Sequence, residues 1–88
     1  MCKVKFTPGA RADLEALDPS IAQRVLDKIR WLAENCDTIS HAPLSDPLRG
    51  YYKLRVGNYR TLYKFDRRRQ QIIVHLIDHR RQIYKRVT

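Results

Sequence analysis

The sequence predicts an α+β domain: a strand, a two-helix hairpin, then a three-stranded antiparallel meander with a short basic C-terminal segment. Three observations carry that class. Gly57-Asn58 stands between two alternating runs, Tyr51 to Val56 and Tyr59 to Phe65, the signature of a tight β-hairpin. Apolar positions recur at helical spacing through the stretch after Asp18. The order of the remaining patterns is β-α-α-β-β-β, which segregates the helices from most of the strands. Eighty-eight residues suffice for one modest core, so 1–88 is read as a single domain.

Taken in order, Lys3-Val4-Lys5-Phe6 alternates and reads as a first strand. Thr7-Pro8 supplies an N-cap and a proline at the first helical position, opening a helix to about Leu17 with Ala10, Leu14 and Leu17 inward. Asp18-Pro19 repeats the signal. The second helix sets Ile21, Ala22, Val25, Leu26, Ile29, Leu32 and Ala33 on one face, and Gln23, Arg24, Asp27, Lys28, Arg30 and Glu34 on the other. The two are expected to form an antiparallel helical hairpin. From Asn35 to Gly50 prolines, serines and aspartates replace periodicity, so this is a loop, and His41 within it is expected to be solvated. Asp66 to Gln70 is a polar turn. Gln71 to Ile77 is apolar on both faces and belongs inside the sheet. If the turn keeps parity, Ile72, Val74 and Leu76 join the core face, while Ile73, His75 and Ile77 take the opposite one. Asp78 to Arg86 begins either a short helix or a fraying tail.

A Gly57-Asn58 loop pairs Val56 with Tyr59, Arg55 with Arg60, Leu54 with Thr61, Lys53 with Leu62 and Tyr51 with Lys64. One face carries Tyr52, Leu54, Val56, Tyr59, Thr61, Tyr63 and Phe65 and is the core face. The other carries Tyr51, Lys53, Arg55, Arg60, Leu62 and Lys64. Like charges directly opposed weaken a sheet, so four cations on one small patch point to a polyanion. Tyr59, Tyr63 and Trp31 read as core, and His75 as a structural histidine.

Eighteen Lys and Arg against nine Asp and Glu give a formal charge of +9 and a pI near 10.1. That balance favours nucleic acid, an acidic protein or an anionic surface. Apolar runs are far shorter than the ~20 residues of a membrane span, and no leader pattern opens the chain, so a soluble cytoplasmic protein is expected, with no membrane partner. Cys2 and Cys36 signal neither a disulfide framework nor a zinc site, and the three scattered glycines form no phosphate loop. No metal or cofactor is expected.

Lys53-Leu54-Arg55-Val56-Gly57-Asn58-Tyr59-Arg60-Thr61-Leu62-Tyr63, together with Ile77-Asp78-His79-Arg80-Arg81-Gln82-Ile83-Tyr84, resembles the RelE branch of the RelE/ParE toxin superfamily. The likeness extends over nearly the whole chain. It implies a toxin of a type II toxin-antitoxin system, an endoribonuclease that cleaves mRNA in the ribosomal A site. It also implies a cognate antitoxin as partner, with operator DNA reached only through the antitoxin complex. The family's active-site pattern falls on Lys53, Arg60, Arg80 and Tyr84. Tyr51 stands where the best-known member has a second lysine. Tyr51, Arg55, Lys64, His79, Arg81 and Lys85 complete the expected RNA-contacting set. The gyrase-inhibiting ParE branch generally lacks this combination, yet a gyrase inhibitor and a non-enzymatic nucleic-acid-binding module stay open as alternatives.

The chemistry agrees with the residue types. RNA can be cut without a metal when its own 2′-hydroxyl attacks the phosphate, provided the protein stabilises a dianionic phosphorane and protonates the leaving oxygen. Arg60 and Arg80 suit the phosphorane because their planar forks match phosphate oxygens. Lys53, crowded by Arg55 and Arg60, is the acid-base candidate. Tyr84 is either a second proton carrier or a stacking surface for a base.

Overall fold

Local signals build the first half of the chain. β1 (Lys3–Phe6) leads into α1 (Pro8–Glu15), whose N-cap Thr7 accepts the Ala10 N–H through its hydroxyl at 3.1 Å. α2 (Pro19–Glu34) starts at Asp18-Pro19, although the Asp18 carboxylate accepts Ser20 Oγ at 3.1 Å and makes no cap bond. This computed structural model describes residues 1–86. β2 (Ala42–Pro43), β3 (Tyr52–Val56), β4 (Tyr59–Asp66) and β5 (Gln71–His79) complete a five-stranded sheet in the order β1-β5-β4-β3-β2. β1 runs parallel to β5 and the other pairs are antiparallel. The α+β class and the β3-β4-β5 meander are as expected, and β5 is internal to the sheet. The added strand β2 lies in the expected loop; two residues paired with Lys53 and Tyr52 are too few to leave a readable period.

One core lies between the helices and the sheet. Ala10 of α1 and Val25, Ile29, Leu32 and Ala33 of α2 meet Leu54, Tyr63, Ile72, Val74 and Ile77. Trp31 does not join them, contrary to expectation, and is 41% exposed with Lys28 Nζ 4.0 Å from its ring centroid. At 100° per residue Trp31 falls well off the Val25-Ile29-Leu32 stripe, so the helix turns it outward.

A second, smaller core sits on the opposite sheet face. Leu48, Leu62 and Ile83 are buried together, with Leu44, Tyr51 and Leu76 around them. Leu76 therefore lies on the cationic side and Ile77 in the main core, the reverse of the expected parity. A β-bulge explains this: Leu62 pairs with Leu76 but Tyr63 with Val74, so His75 is an extra residue that flips everything after it. Alternation counted from the turn cannot see such an insertion.

The described part of the C-terminal segment neither frays nor forms a helix. Ile83 and Gln82 both donate backbone N–H groups to His79 O, at 3.0 and 2.9 Å, giving consecutive turns that press Ile83 onto Leu62. Arg86 Nη1 then donates to Asp13 Oδ2 at 3.0 Å and Asp78 Oδ2 at 3.3 Å. The Asp13 hydrogen bond foremost holds the Arg86 pKa above its ordinary value. Asp13 Oδ2 also accepts the Ile77 N–H at 3.0 Å, covering the edge of β5 beyond the end of β1.

Three further residues depart from expectation. Cys2 and Cys36 are joined in a disulfide, although their spacing signals no disulfide framework. The Cys2 N–H donates to Ala33 O at 2.9 Å and so brings the start of β1 against the end of α2, which sets Cys2 beside Cys36, 34 residues away, a pairing that spacing alone cannot reveal. His41 is a latch and not a solvated loop side chain. Its Nδ1 lies 2.6 Å from the Tyr63 hydroxyl and its Nε2 2.8 Å from Cys36 O, while its ring stacks on Phe65 at 4.3 Å. A carbonyl can only accept, so Nε2 carries a proton and, in the neutral ring, Nδ1 accepts from Tyr63. Burial raises the Tyr63 phenol pKa well above its usual value, which keeps that proton available.

Candidate functional site

The hairpin register is the one the turn demands, with Arg55 opposite Arg60, Lys53 opposite Leu62 and Val56 opposite Tyr59. Gly57 has φ +58°, the left-handed region that the first central position of a II′ hairpin turn requires. A Cβ there would also stand 3.0 Å from Arg24 Nη2, so the turn and α2 touch.

Arginines from four elements or their extensions converge on this turn. Arg60 is half-buried and folds back, its Nη1 donating to Gly57 O at 3.0 Å and Tyr59 O at 2.9 Å. Arg55 faces it across β3 and β4. Arg80 arrives as β5 ends, its backbone N–H donating to Asn58 O at 2.8 Å. Arg24 comes from α2, which the sequence had placed on a solvated face; only the tertiary packing of α2 against the hairpin identifies it. A shallow groove of about 510 Å³ beside the turn is lined by Arg24, Asp27, Lys28, Trp31, Arg55 and Gly57. Asp78, the register partner of Arg60, spends its carboxylate on the His79 N–H at 2.7 Å and on Arg86 at 3.3 Å. The cationic end of the sheet thus keeps its positive field for an anion.

Lys53 is exposed one step along β3 from Arg55, between Ala42 of β2 and Leu62 of β4. Tyr84 sits on the C-terminal turns directly after the buried Ile83 and is 37% exposed. Ile83 therefore determines where Arg80 and Tyr84 stand relative to Lys53 and Arg60. Arg81 and Lys85 are exposed on the same turns.

The other expected contacts divide. Tyr51 and Lys64 lie toward the far end of the face, with Lys64 Nζ 4.7 Å from the Tyr51 ring centroid. Lys64 stands four residue steps along β4 from Arg60, ~13 Å at strand rise. His75 joins that pair through an edge-to-face contact with Tyr51 at 5.2 Å. Burial first, and Lys64 second, lower its pKa below the ordinary imidazole value. His79 pairs with Tyr59 on the helix side of the sheet, its ring 5.5 Å from that of Tyr59 and its Nδ1 accepting the Arg81 N–H at 3.2 Å. Among the described residues, no group of three or more His, Cys, Asp or Glu is arranged to hold a metal ion, and no helix is long and apolar enough to cross a membrane.

Comparison with known proteins places this architecture. The family model of the ParE toxin of the type II toxin-antitoxin system, parDE, matches residues 4–84. Toxin RelG of Mycobacterium tuberculosis (strain ATCC 25618 / H37Rv) is 34% identical over 83 residues, 94% of this chain and 95% of that protein. The toxin-antitoxin complex RelBE2 of the same species contains a chain that superposes with a TM-score of 0.79 at 32% identity, over 89% of this chain and 96% of that one. The isolated E. coli RelE toxin shares the fold over the full length of both chains, with a TM-score of 0.75 at 14% identity. The chain belongs to the RelE/ParE superfamily and is a toxin of a type II toxin-antitoxin system.

Proposed function

We propose that this toxin is a ribosome-dependent endoribonuclease that cuts mRNA in the A site and so halts translation in the cytoplasm. The observation that carries the reading is the convergence of Arg60 and Arg80 on the Gly57-Asn58 turn, with Lys53 on the same sheet face. The substrate's 2′-oxygen attacks the adjacent phosphorus, a phosphorane dianion forms, and the P–O5′ bond breaks. A 2′,3′-cyclic phosphate and a 5′-hydroxyl result. Arg60 and Arg80 bind the non-bridging oxygens, most strongly when the charge is greatest. Lys53 and Tyr84 divide the two proton transfers, one removing the 2′ proton and the other delivering a proton to the 5′-oxygen.

An open cationic face orients a flexible strand poorly. The ribosome supplies that orientation, and holding the message in line is worth several powers of ten in rate. A cognate antitoxin completes the proposal. The chain superposed above from M. tuberculosis comes from a toxin-antitoxin complex, and the groove bearing Lys28, Trp31, Lys53 and Arg55 suits an acidic segment. The test is primer-extension mapping of a message incubated with the purified toxin, with and without programmed ribosomes. Cuts confined to A-site codons and dependent on the ribosome support the proposal. No cuts, with accumulation of cleaved gyrase-DNA complexes, would move the protein to the gyrase-inhibiting branch.

A further inference from the structure

We propose that Lys64 and His75, held in place by Tyr51, form a second RNA subsite that clamps a phosphodiester of the message away from the scissile one. This rests on the endoribonuclease reading and extends it to a site about 13 Å along β4 from Arg60.

The bulge creates the site. Because His75 is the extra residue of β5, it shares the outer face with Leu76, and its ring meets Tyr51 edge to face at 5.2 Å. The same Tyr51 ring has Lys64 Nζ 4.7 Å from its centroid. One aromatic ring therefore positions a fixed cation and a titratable imidazole next to each other. Lys5 of β1, in register with Ile73, adds positive charge on this face. The carboxylate ion pairs among the described residues go to Arg67, Arg69 and Arg86, and none goes to Lys64 or His75. Burial and the neighbouring Lys64 charge disfavour a protonated His75, and an anion between the two groups removes that penalty. Lys64 is the charge set against His75 and the Tyr51 ring its aromatic neighbour, while Asp66, two residues along β4 from Lys64, has its carboxylate on Arg69. A phosphodiester carries one charge and several acceptor oxygens, which an ammonium and an imidazolium can share.

Binding should take up a proton on His75, so affinity rises as pH falls. The test uses the whole toxin and a short RNA carrying 2′-O-methyl groups, which binds without being cut, with imidazole titration followed by NMR. The expected result is an upward shift of the His75 titration on RNA binding. Lys64→Met should lower the salt-dependence slope of RNA affinity by about 0.7, the value of one phosphate contact on a single strand. His75→Gln should abolish the pH dependence of affinity while leaving circular dichroism unchanged. If RNA moves Arg60 and Arg80 signals but leaves the His75 titration in place, the subsite is refuted and the cleavage proposal survives. If His75→Gln instead weakens only binding to vacant ribosomes, the clamp belongs to ribosomal RNA and the message assignment is overturned.

Discussion

Ile83→Ala tests whether packing beneath the sheet sets the geometry of the candidate site. Ile83 is fully buried against Leu48 and Leu62, and it is the anchor of the turns that carry Arg80 and Tyr84. Truncating an enclosed isoleucine to alanine costs about 2–5 kcal/mol through lost transfer energy and the cavity left behind. This cluster is small and peripheral, and the segment can detach without unfolding the main core, which caps the loss. An expected destabilisation of about 2–3 kcal/mol follows, and at 4–8 °C per kcal/mol for a domain of this size Tm falls by roughly 10–20 °C. Ile83→Val, which removes one methylene, should cost about 0.5–1.5 kcal/mol. Urea denaturation followed by circular dichroism measures both, and hydrogen exchange at the Ile83 amide reports local opening. A loss under about 0.5 kcal/mol for Ile83→Ala, with unchanged exchange, would show that the C-terminal turns do not depend on this anchor.

Other consequences are equally direct. Under oxidising conditions, Cys2→Ser should lower stability by about 3–4 kcal/mol, the chain-entropy value for a cross-link spanning 34 residues, and adding reductant to the wild type should reproduce the loss in a urea midpoint. Tyr63→Phe and His41→Phe should be coupled by about 1–2 kcal/mol in a double-mutant cycle, because either change strands a polar partner; additive effects would mean that the 2.6 Å contact contributes nothing. Thr61→Val should stabilise the fold by about 1 kcal/mol, since the Thr61 hydroxyl is buried without a hydrogen-bond partner among the described residues. A lower urea midpoint for that variant would count against this account of the core.

Residues that act through nearest neighbours in sequence were legible. Thr7-Pro8 and Asp18-Pro19 start helices, and Gly57-Asn58 fixes a register that the sheet follows pair by pair from Val56–Tyr59 to Lys53–Leu62. That register is also why the cationic face was visible before any tertiary contact was known. What escaped depends on insertions and on long-range contacts. The extra residue at His75 reverses the parity of β5, moving Leu76 outward and Ile77 inward, and no turn residue marks it. The Cys2–Cys36 bond, the His41 latch and the Asp13–Arg86 pair each join segments brought together only by the tertiary fold. Arg24 was hidden for a related reason. Helical periodicity assigns it to the polar face of α2, and only the crossing of α2 over the hairpin turn makes that face part of the cationic end.

The most direct test of the central proposal is single-turnover cleavage of a message held in the A site of programmed ribosomes. It compares wild-type toxin with Arg80→Ala, and an all-ribose message with one carrying a single 2′-deoxy residue at the cut. The account predicts a 2′,3′-cyclic phosphate product, a rate loss of about 10²–10³-fold for Arg80→Ala with unaltered folding, and no cleavage at the deoxy position. Cleavage of the deoxy message, or full activity of Arg80→Ala, would contradict it.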